Sequence, residues 1–355
     1  MKRIGIIGIG AWGVALALAI HRAGWPVMLW AHGTATAATL AATGMSPHLP
    51  NVPLPLHPGT LDLTTDPAVM TEACNAILLA TPAQCLRAVC TRFAPYWRPS
   101  TPAVICAKGI ECHTNALMHE IVNEILPTAV VAVLSGPSFA IEVACGLPTA
   151  LTLACPDASI GQRLVWALGT PMFRLYLSDD VLGAEIGGAV KNVLAIGCGI
   201  ITGRALGDNA RAALITRGLA EIVRLATAAG GRAETLMGLC GLGDLILTAS
   251  SLQSRNFSLG MALGQGATLD EVLTSRRSVA EGVQSASAVV GRARLLSVEM
   301  PICAAVDDIL HQGAPIDTVI RTLLTRPFRT EIGWGHKALH LGSANPLPWI
   351  RGGLG

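Results

Sequence analysis

Short, almost purely apolar runs punctuate the first half of the chain, and helix-length apolar runs take over in the second. Ile4-Gly5-Ile6-Ile7, Pro26 to Trp30, Ala76 to Ala80, Ala103 to Ala107 and Ala129 to Leu134 are strand-sized and lack polar alternation, and Pro148 to Ala154 and Met172 to Leu177 add strands that carry polar residues. Unbroken apolar runs of that length mark strands buried on both faces, as in a parallel sheet covered by helices. Ala15 to Ala23 reads as a helix ending at Gly24, and Phe139 to Ala144 as a short helix capped by Ser138. Leu40 to Thr65 carries Pro47, Pro50, Pro53, Pro55 and Pro58 and is expected to form a loop-rich surface excursion. After Asp179 the spacing becomes helical. Gly183 to Thr202, Ala212 to Ala229, Leu269 to Leu273, Ser285 to Leu296, Pro301 to Gln312 and Ile316 to Leu324 are the expected helices. Arg217, Glu221 and Arg224 recur at helical spacing on one face. Beyond Phe328 periodicity fades. The pattern predicts a doubly wound, mostly parallel sheet over residues 1–182, an all-α region over 183–328 and a loose C-terminal tail over 329–355.

Composition narrows the class. The 355 residues exceed one ordinary core, and 51% hydrophobic against 14% charged residues suits a large buried interior. A net charge of +2 without a basic block gives nucleic acid no electrostatic footprint. No apolar run is expected to approach the length of a membrane span, so stable membrane insertion is not expected. Met1-Lys2-Arg3 leads straight into a strand rather than a cleavable leader, which predicts a cytoplasmic protein. The ten cysteines form no CxxC pair and the histidines are scattered. Small buried thiols in a reducing compartment are expected, with neither a metal site nor a disulfide frame.

The first strand runs into Gly8, Gly10 and Gly13, a GxGxxG pattern opening a helix, with a second strand behind it. That order is a dinucleotide-binding βαβ unit. The first glycine makes the tight turn, the second admits the pyrophosphate and the third lets helix pack on strand. The fold class is therefore an α/β Rossmann domain followed by an all-α C-terminal domain. NAD-preferring units usually close their second strand with a carboxylate; here Trp30-Ala31-His32-Gly33-Thr34 stands there, and no Asp or Glu precedes Asp62. A ribose 2′-phosphate would not be repelled, and His32 or Arg22 could approach it. The balance tips towards NADP(H), or use of both NADP and NAD.

Lys191 sits in Gly188-Ala189-Val190-Lys191-Asn192, amid Gly, Ala, Val, Leu and Ile. Either it snorkels to solvent, or it is held in apolar surroundings as an amine able to exchange a proton near neutral pH. Lys108 follows a strand at its ligand-facing end, or is a loop lysine without a role. Ser135-Gly136-Pro137-Ser138 is a tight turn that offers amides and hydroxyls to a ligand, or simply caps a helix. Asp244 lies in an apolar setting and needs a partner, for which Lys191 is a candidate. Arg255 and Asn256 present donors suited to phosphate; for each of these three, a structural ion pair or a cap is the alternative.

Taken in order, these motifs resemble the bacterial NAD(P)-dependent sn-glycerol-3-phosphate dehydrogenases from residue 3 to about 328. The resemblance rests on Gly8-Ile9-Gly10-Ala11-Trp12-Gly13, Lys108-Gly109, Ser135 to Ala140, Gly188 to Val193, Asn209 to Gly218, Gly241 to Leu245, Ser254-Arg255-Asn256 and Val279 to Gly282. It implies reversible hydride transfer between sn-glycerol 3-phosphate and dihydroxyacetone phosphate, supplying glycerol 3-phosphate for phospholipid synthesis. It implies Lys191 as proton acceptor, and a substrate site of Lys108, Gly136, Ser138, Lys191, Asp244, Thr248, Ser254, Arg255 and Asn256. The matching cofactor positions are Gly8, Gly10, Ala11, Trp12, Gly13, His32, Lys108, Ala140, Arg255, Val279 and Glu281. The departure from the family lies at Gly33-Thr34, where acidic or other polar residues are frequent. The apolar helical domain is compatible with a homodimer. Two rival readings are a β-hydroxyacid dehydrogenase, which would need carboxylate-binding residues where Ser254-Arg255-Asn256 stands, and a non-catalytic dinucleotide sensor, which could lose Lys191 or Asp244.

Overall fold

The computed structural model describes residues 2–274 and 280–327. Val279 and the tail 329–355, both singled out from sequence, lie outside the described residues. The described residues form ten strands: β1 (Ile4–Ile7), β2 (Val27–Trp30), β3 (Met45–Ser46), β4 (Leu49–Pro53), β5 (Leu61–Thr64), β6 (Ala76–Leu79), β7 (Pro102–Ile105), β8 (Val130–Ser135), β9 (Thr149–Ala154) and β10 (Phe173–Ser178). Eight form one sheet in the order β10-β9-β8-β7-β6-β1-β2-β5, parallel throughout except between β8 and β9. Every residue of β1, β2, β6 and β7 is buried, because helices cover both faces. Ile7 pairs with Trp30 on one side and Leu79 on the other, so the carboxyl ends of β1, β2 and β6 lie level along one edge. Chain order reverses between β1 and β6, and ligands of such sheets bind outside that reversal.

The stretch Leu40 to Thr65 is more ordered than its prolines suggest. The helix Thr34–Thr43 ends at Gly44, β3 and β4 form a small hairpin, and β5 is an edge strand of the main sheet. The β5 sequence Leu61-Asp62-Leu63-Thr64 carries polar residues because an edge strand meets solvent; Asp62 pairs with Arg3 at 2.9 Å.

Val181–Gly203 is the axle of the helical part, and it is buried continuously from Gly183 to Ile200. By length and composition it could cross a membrane, yet 83% of its apolar window is buried inside this fold. Asp180 starts it by accepting the Gly183 amide at 2.9 Å. A second helix, Arg255–Gly264, lies against it backbone to backbone. A Cβ placed on Gly199 would come 2.1 Å from the Phe257 carbonyl oxygen, and one on Gly260 would come 2.0 Å from that of Ile196. Only glycine permits that approach. On Gly207–Ala228, Glu221 does not share an exposed face with Arg217 and Arg224. It is 1% exposed and accepts the Ile302 and Cys303 amides at the start of helix Pro301–His311. Seven of the cysteines are buried, while Cys85 and Cys145 are exposed and Cys112 is half-buried.

Candidate active site

The glycine loop leaves β1 as the pattern requires. Gly8 has φ +114°, and a Cβ there would press on the Ala80 carbonyl oxygen at 2.7 Å. Gly13 lies inside the helix Ala11–Arg22, where a Cβ would strike the Gly8 carbonyl oxygen. Gly10 differs: a Cβ built on it meets nothing within 4 Å. The helix opens on Gly10 with no side-chain cap and no acidic residue in its first turn. Free amides, a positive helix end and open space at the second glycine fit a pyrophosphate. Trp12 lies in the first turn of this helix, and its buried Nε1 has no hydrogen-bond partner among the described residues. His32 is exposed just after β2, its ring edge-on to Trp30 with centroids 5.7 Å apart. Arg22 does not join it. At the far end of the first helix, Arg22 bonds the carbonyls of Val143 and Ala144 at 2.5 and 2.9 Å.

A second group of side chains converges where the sheet meets the helices. Asp244, with 0% exposure, accepts from Lys191 Nζ at 2.6 Å on Oδ1 and from Lys108 Nζ at 2.7 Å on Oδ2. Lys108 comes from the loop after β7, Lys191 from Val181–Gly203, and Asp244 from the start of helix Asp244–Ser250. A π-turn over Leu239–Gly243 sets the angle at which Asp244 enters. Lys191 also donates to Thr248 Oγ1 at 2.8 Å, and Lys108 to the Gly136 carbonyl at 2.8 Å. Lys191 therefore does not snorkel; it is 7% exposed. Burial, against the opposing pull of Asp244 and helped by the charge of Lys108, brings its pKa down to about 8. A lysine with such a pKa exchanges its proton near neutrality.

Around this core, Ser138 does not cap the helix Ala140–Ala144; its hydroxyl donates to the Gly136 carbonyl at 3.1 Å, and Phe139 holds the cap position. Ser254 caps Arg255–Gly264 by accepting the Phe257 amide at 3.2 Å. Arg255 is exposed at the first position of that helix. Burial raises the pKa of Glu281, while the nearby charges of Arg255, Lys191 and Lys108 lower it, so these four groups share one neighbourhood. Asn256 Nδ2 donates to Asn192 Oδ1 at 2.9 Å, and Asn256 Oδ1 accepts the Gly282 amide at 3.0 Å. Asn192 in turn donates to the Lys108 carbonyl at 3.3 Å. Asn192 was not among the candidates from sequence, although it follows Lys191 directly. An amide in an apolar helix was the available signal, since a buried amide must find partners. Ala11, His32 and the glycines form one cluster along the sheet edge. Lys108, Gly136, Lys191, Asp244 and Thr248 form another, with Arg255 and Glu281 beside it. Among the described residues, no group of three or more His, Cys, Asp or Glu is arranged to hold a metal ion.

Two family models match the chain: NAD-dependent glycerol-3-phosphate dehydrogenase N-terminus over residues 3–160, and NAD-dependent glycerol-3-phosphate dehydrogenase C-terminus over residues 180–321. The glycerol-3-phosphate dehydrogenase [NAD(P)+] of Rhodospirillum rubrum is 57% identical over 334 residues, covering 94% of this chain and 95% of that protein. The enzyme of the same name from Maricaulis maris is 54% identical over 331 residues, covering 93% and 98%. The crystal structure of glycerol-3-phosphate dehydrogenase from Coxiella burnetii matches with a TM-score of 0.87 at 40% identity, over 92% of this chain and 99% of that one.

Proposed function

The chain belongs to the NAD-dependent glycerol-3-phosphate dehydrogenase family, and we propose that Lys191 moves the proton in its reaction. The enzyme interconverts sn-glycerol 3-phosphate and dihydroxyacetone phosphate with NAD(P), supplying glycerol 3-phosphate for phospholipid synthesis. This membership removes the hydroxyacid-dehydrogenase and sensor readings. Gly8, Gly10, Ala11, Trp12 and Gly13 would hold the dinucleotide's pyrophosphate, His32 its adenosine end, and Ala140, Arg255 and Glu281 the remainder. The nicotinamide, when bound, supplies the hydride acceptor or donor.

The chain's own residues handle the proton and the phosphate. Oxidising the alcohol requires a base at the hydroxyl. Neutral Lys191 takes that proton, and charged Lys191 returns it to the carbonyl oxygen of dihydroxyacetone phosphate in the other direction. Asp244 holds the amine in place, and Lys108 keeps its pKa within reach of neutrality. Arg255, with Asn256 and the Ser254 turn, binds the phosphate by charge-assisted hydrogen bonds. The observation that supports this reading is the Lys108–Asp244–Lys191 bridge around a buried carboxylate, with the Lys191 amine titrating near 8. Lys191→Ala, followed by nicotinamide absorbance, should lose about 100-fold or more of turnover, the usual worth of a general acid or base. Retention within a few-fold of wild type would remove Lys191 from the mechanism.

The lack of a carboxylate after β2 supports use of NADP(H), alone or beside NAD(H). We further read the enzyme as a cytoplasmic homodimer with no membrane insertion. Ten unpaired cysteines suit a reducing compartment. Apolar surface on the helical part supports pairing, for Leu295 is 68% and Leu324 80% exposed. Sedimentation of the purified enzyme as a monomer at micromolar concentration would rule the dimer out.

A further inference from the structure

The segment after Lys108 behaves unlike a loop of the sheet domain. Ile110 and Leu117 face each other across an antiparallel bridge and are both 0% exposed. They belong to the core of the helical part, not to that of the sheet. The turn between them is held in a conformation that ordinary side chains avoid: His113 has φ 70° and Asn115 φ 57°. Asn115 lies so close on Gly291 of helix Glu281–Leu295 that a Cβ there would come 2.5 Å from its Oδ1. Two ionic links follow. His119 gives its backbone amide to Glu185 Oε1 at 2.8 Å and sets its Nδ1 2.6 Å from Glu185 Oε2. Glu120 takes two bonds from Arg292, at 2.7 and 3.1 Å. On the sheet side, Gln84 accepts the Cys112 amide and donates to the Ile110 carbonyl, both at 2.8 Å. The segment is thus bolted to both halves of the molecule.

We propose that residues 109–120 form a clasp that positions Lys108 against Asp244, with His119–Glu185 and Glu120–Arg292 as its two locks. This rests on the reading of Lys191 as proton carrier. Lys108 is the residue from which the clasp springs, and its carbonyl is tied to Asn192, the neighbour of Lys191. With Ile110 and Leu117 in the helical core and Gln84 bonded from the sheet side, Lys108 is held in register with the helices that carry Lys191. His119 and Glu185 are positioning residues; neither reaches the reacting atoms. Burial alone would lower the pKa of His119, but the hydrogen bond and charge of Glu185, helped by Glu120 and opposed by Arg292, raise it overall. With His119 protonated the lock is a charge-assisted bond, and it weakens as pH rises through the His119 pKa.

Lys191 reports the state of the clasp. The charged groups acting on it are Asp244, Lys108 and Glu281. A loosened clasp lets Lys108 leave Asp244. That removes a neighbouring cation and frees the carboxylate, so the Lys191 pKa must rise. The test compares wild type with His119→Gln, Glu120→Gln, Lys108→Met and, as a distant control, Arg204→Gln. In the oxidising direction, kcat/KM climbs with pH as Lys191 loses its proton. His119→Gln should shift that climb upward by roughly 0.5 pH unit, a part of the repulsion between two cations sharing one carboxylate. Glu120→Gln should shift it in the same direction by less, and it carries the test alone if the first variant does not fold. Hydrogen exchange of the 108–118 amides in ligand-free enzyme should speed up in both, and Arg204→Gln should change neither readout. Lowered melting temperatures with superimposed pH profiles and unchanged exchange at 108–118 would overturn the clasp. A Lys108→Met profile that matches wild type would instead overturn the parent reading of the lysine pair.

Discussion

Replacing Asp244 by Asn tests the electrostatics of the site most directly. The change keeps the side chain's shape and removes the one carboxylate that joins the buried Lys191 ammonium to the half-buried Lys108 ammonium, at 2.6 and 2.7 Å. At about 3 Å and an effective dielectric near 20, a unit charge is worth roughly 5 kcal/mol to Lys191, or about four pKa units. Side-chain relaxation and entering water absorb part of this, but about a third of it already moves the titration by more than ~1 pH unit. Lys191, now titrating at about 8, should become neutral well below 7. The Asn amide nitrogen would also face the Lys108 ammonium, donor against donor. In the oxidising direction, the rise of kcat/KM with pH should therefore move to lower pH. In the reducing direction, the rate at pH 7 should collapse, because little charged Lys191 is left to donate. Both profiles are read from nicotinamide absorbance, on protein whose fold is checked by circular dichroism. An Asp244→Asn enzyme whose limb stays near 8 would refute the assignment of that limb to Lys191 and the coupling through Asp244.

Arg255→Ala should raise the Michaelis constant for dihydroxyacetone phosphate about tenfold or more, since a charge-assisted phosphate bond is worth ~1.5–3 kcal/mol; an unchanged constant argues against the phosphate clamp. Gly33→Asp should penalise NADPH against NADH by about tenfold. The backbone at φ −123°, ψ 140° already caps helix Thr34–Thr43 and accepts Asp without strain, so equal preference in the variant would place the 2′-hydroxyl elsewhere. Gly199→Ala should destabilise the fold by about 2 kcal/mol or more, seen as a lowered melting temperature. Its Cβ meets the Phe257 carbonyl oxygen at 2.1 Å and the Met261 nitrogen at 2.7 Å, so an unshifted melting curve would show that the two helices can part.

Much of this architecture was legible as pattern. Strands buried on both faces need apolar residues at every position, so Ile4 to Ile7 and Ala76 to Leu79 stand out in the bare chain. The glycine loop is equally local, since turn, phosphate approach and helix packing all act within a few residues. The edge strand Leu61–Thr64 escaped because one side meets water and prolines precede it. Glu221 misled because helical spacing gives a face but not what covers it. Its carboxylate turned out to cap a helix some 80 residues onward, at Ile302 and Cys303.

Sequence by itself determined which residue types were present and how each short segment would fold: a dinucleotide loop, a parallel sheet, a lysine embedded in an apolar helix. Only the tertiary structure decided that Lys191 would meet Asp244, 53 residues away, and that Lys108 would meet it from 136 residues away. It also decided that Ile110 and Leu117 would leave the sheet's core for that of the helices. Local propensity acts over a turn or a strand. The protonation state of a buried amine depends on charges a few ångströms off in space, and chain order alone does not say which those are.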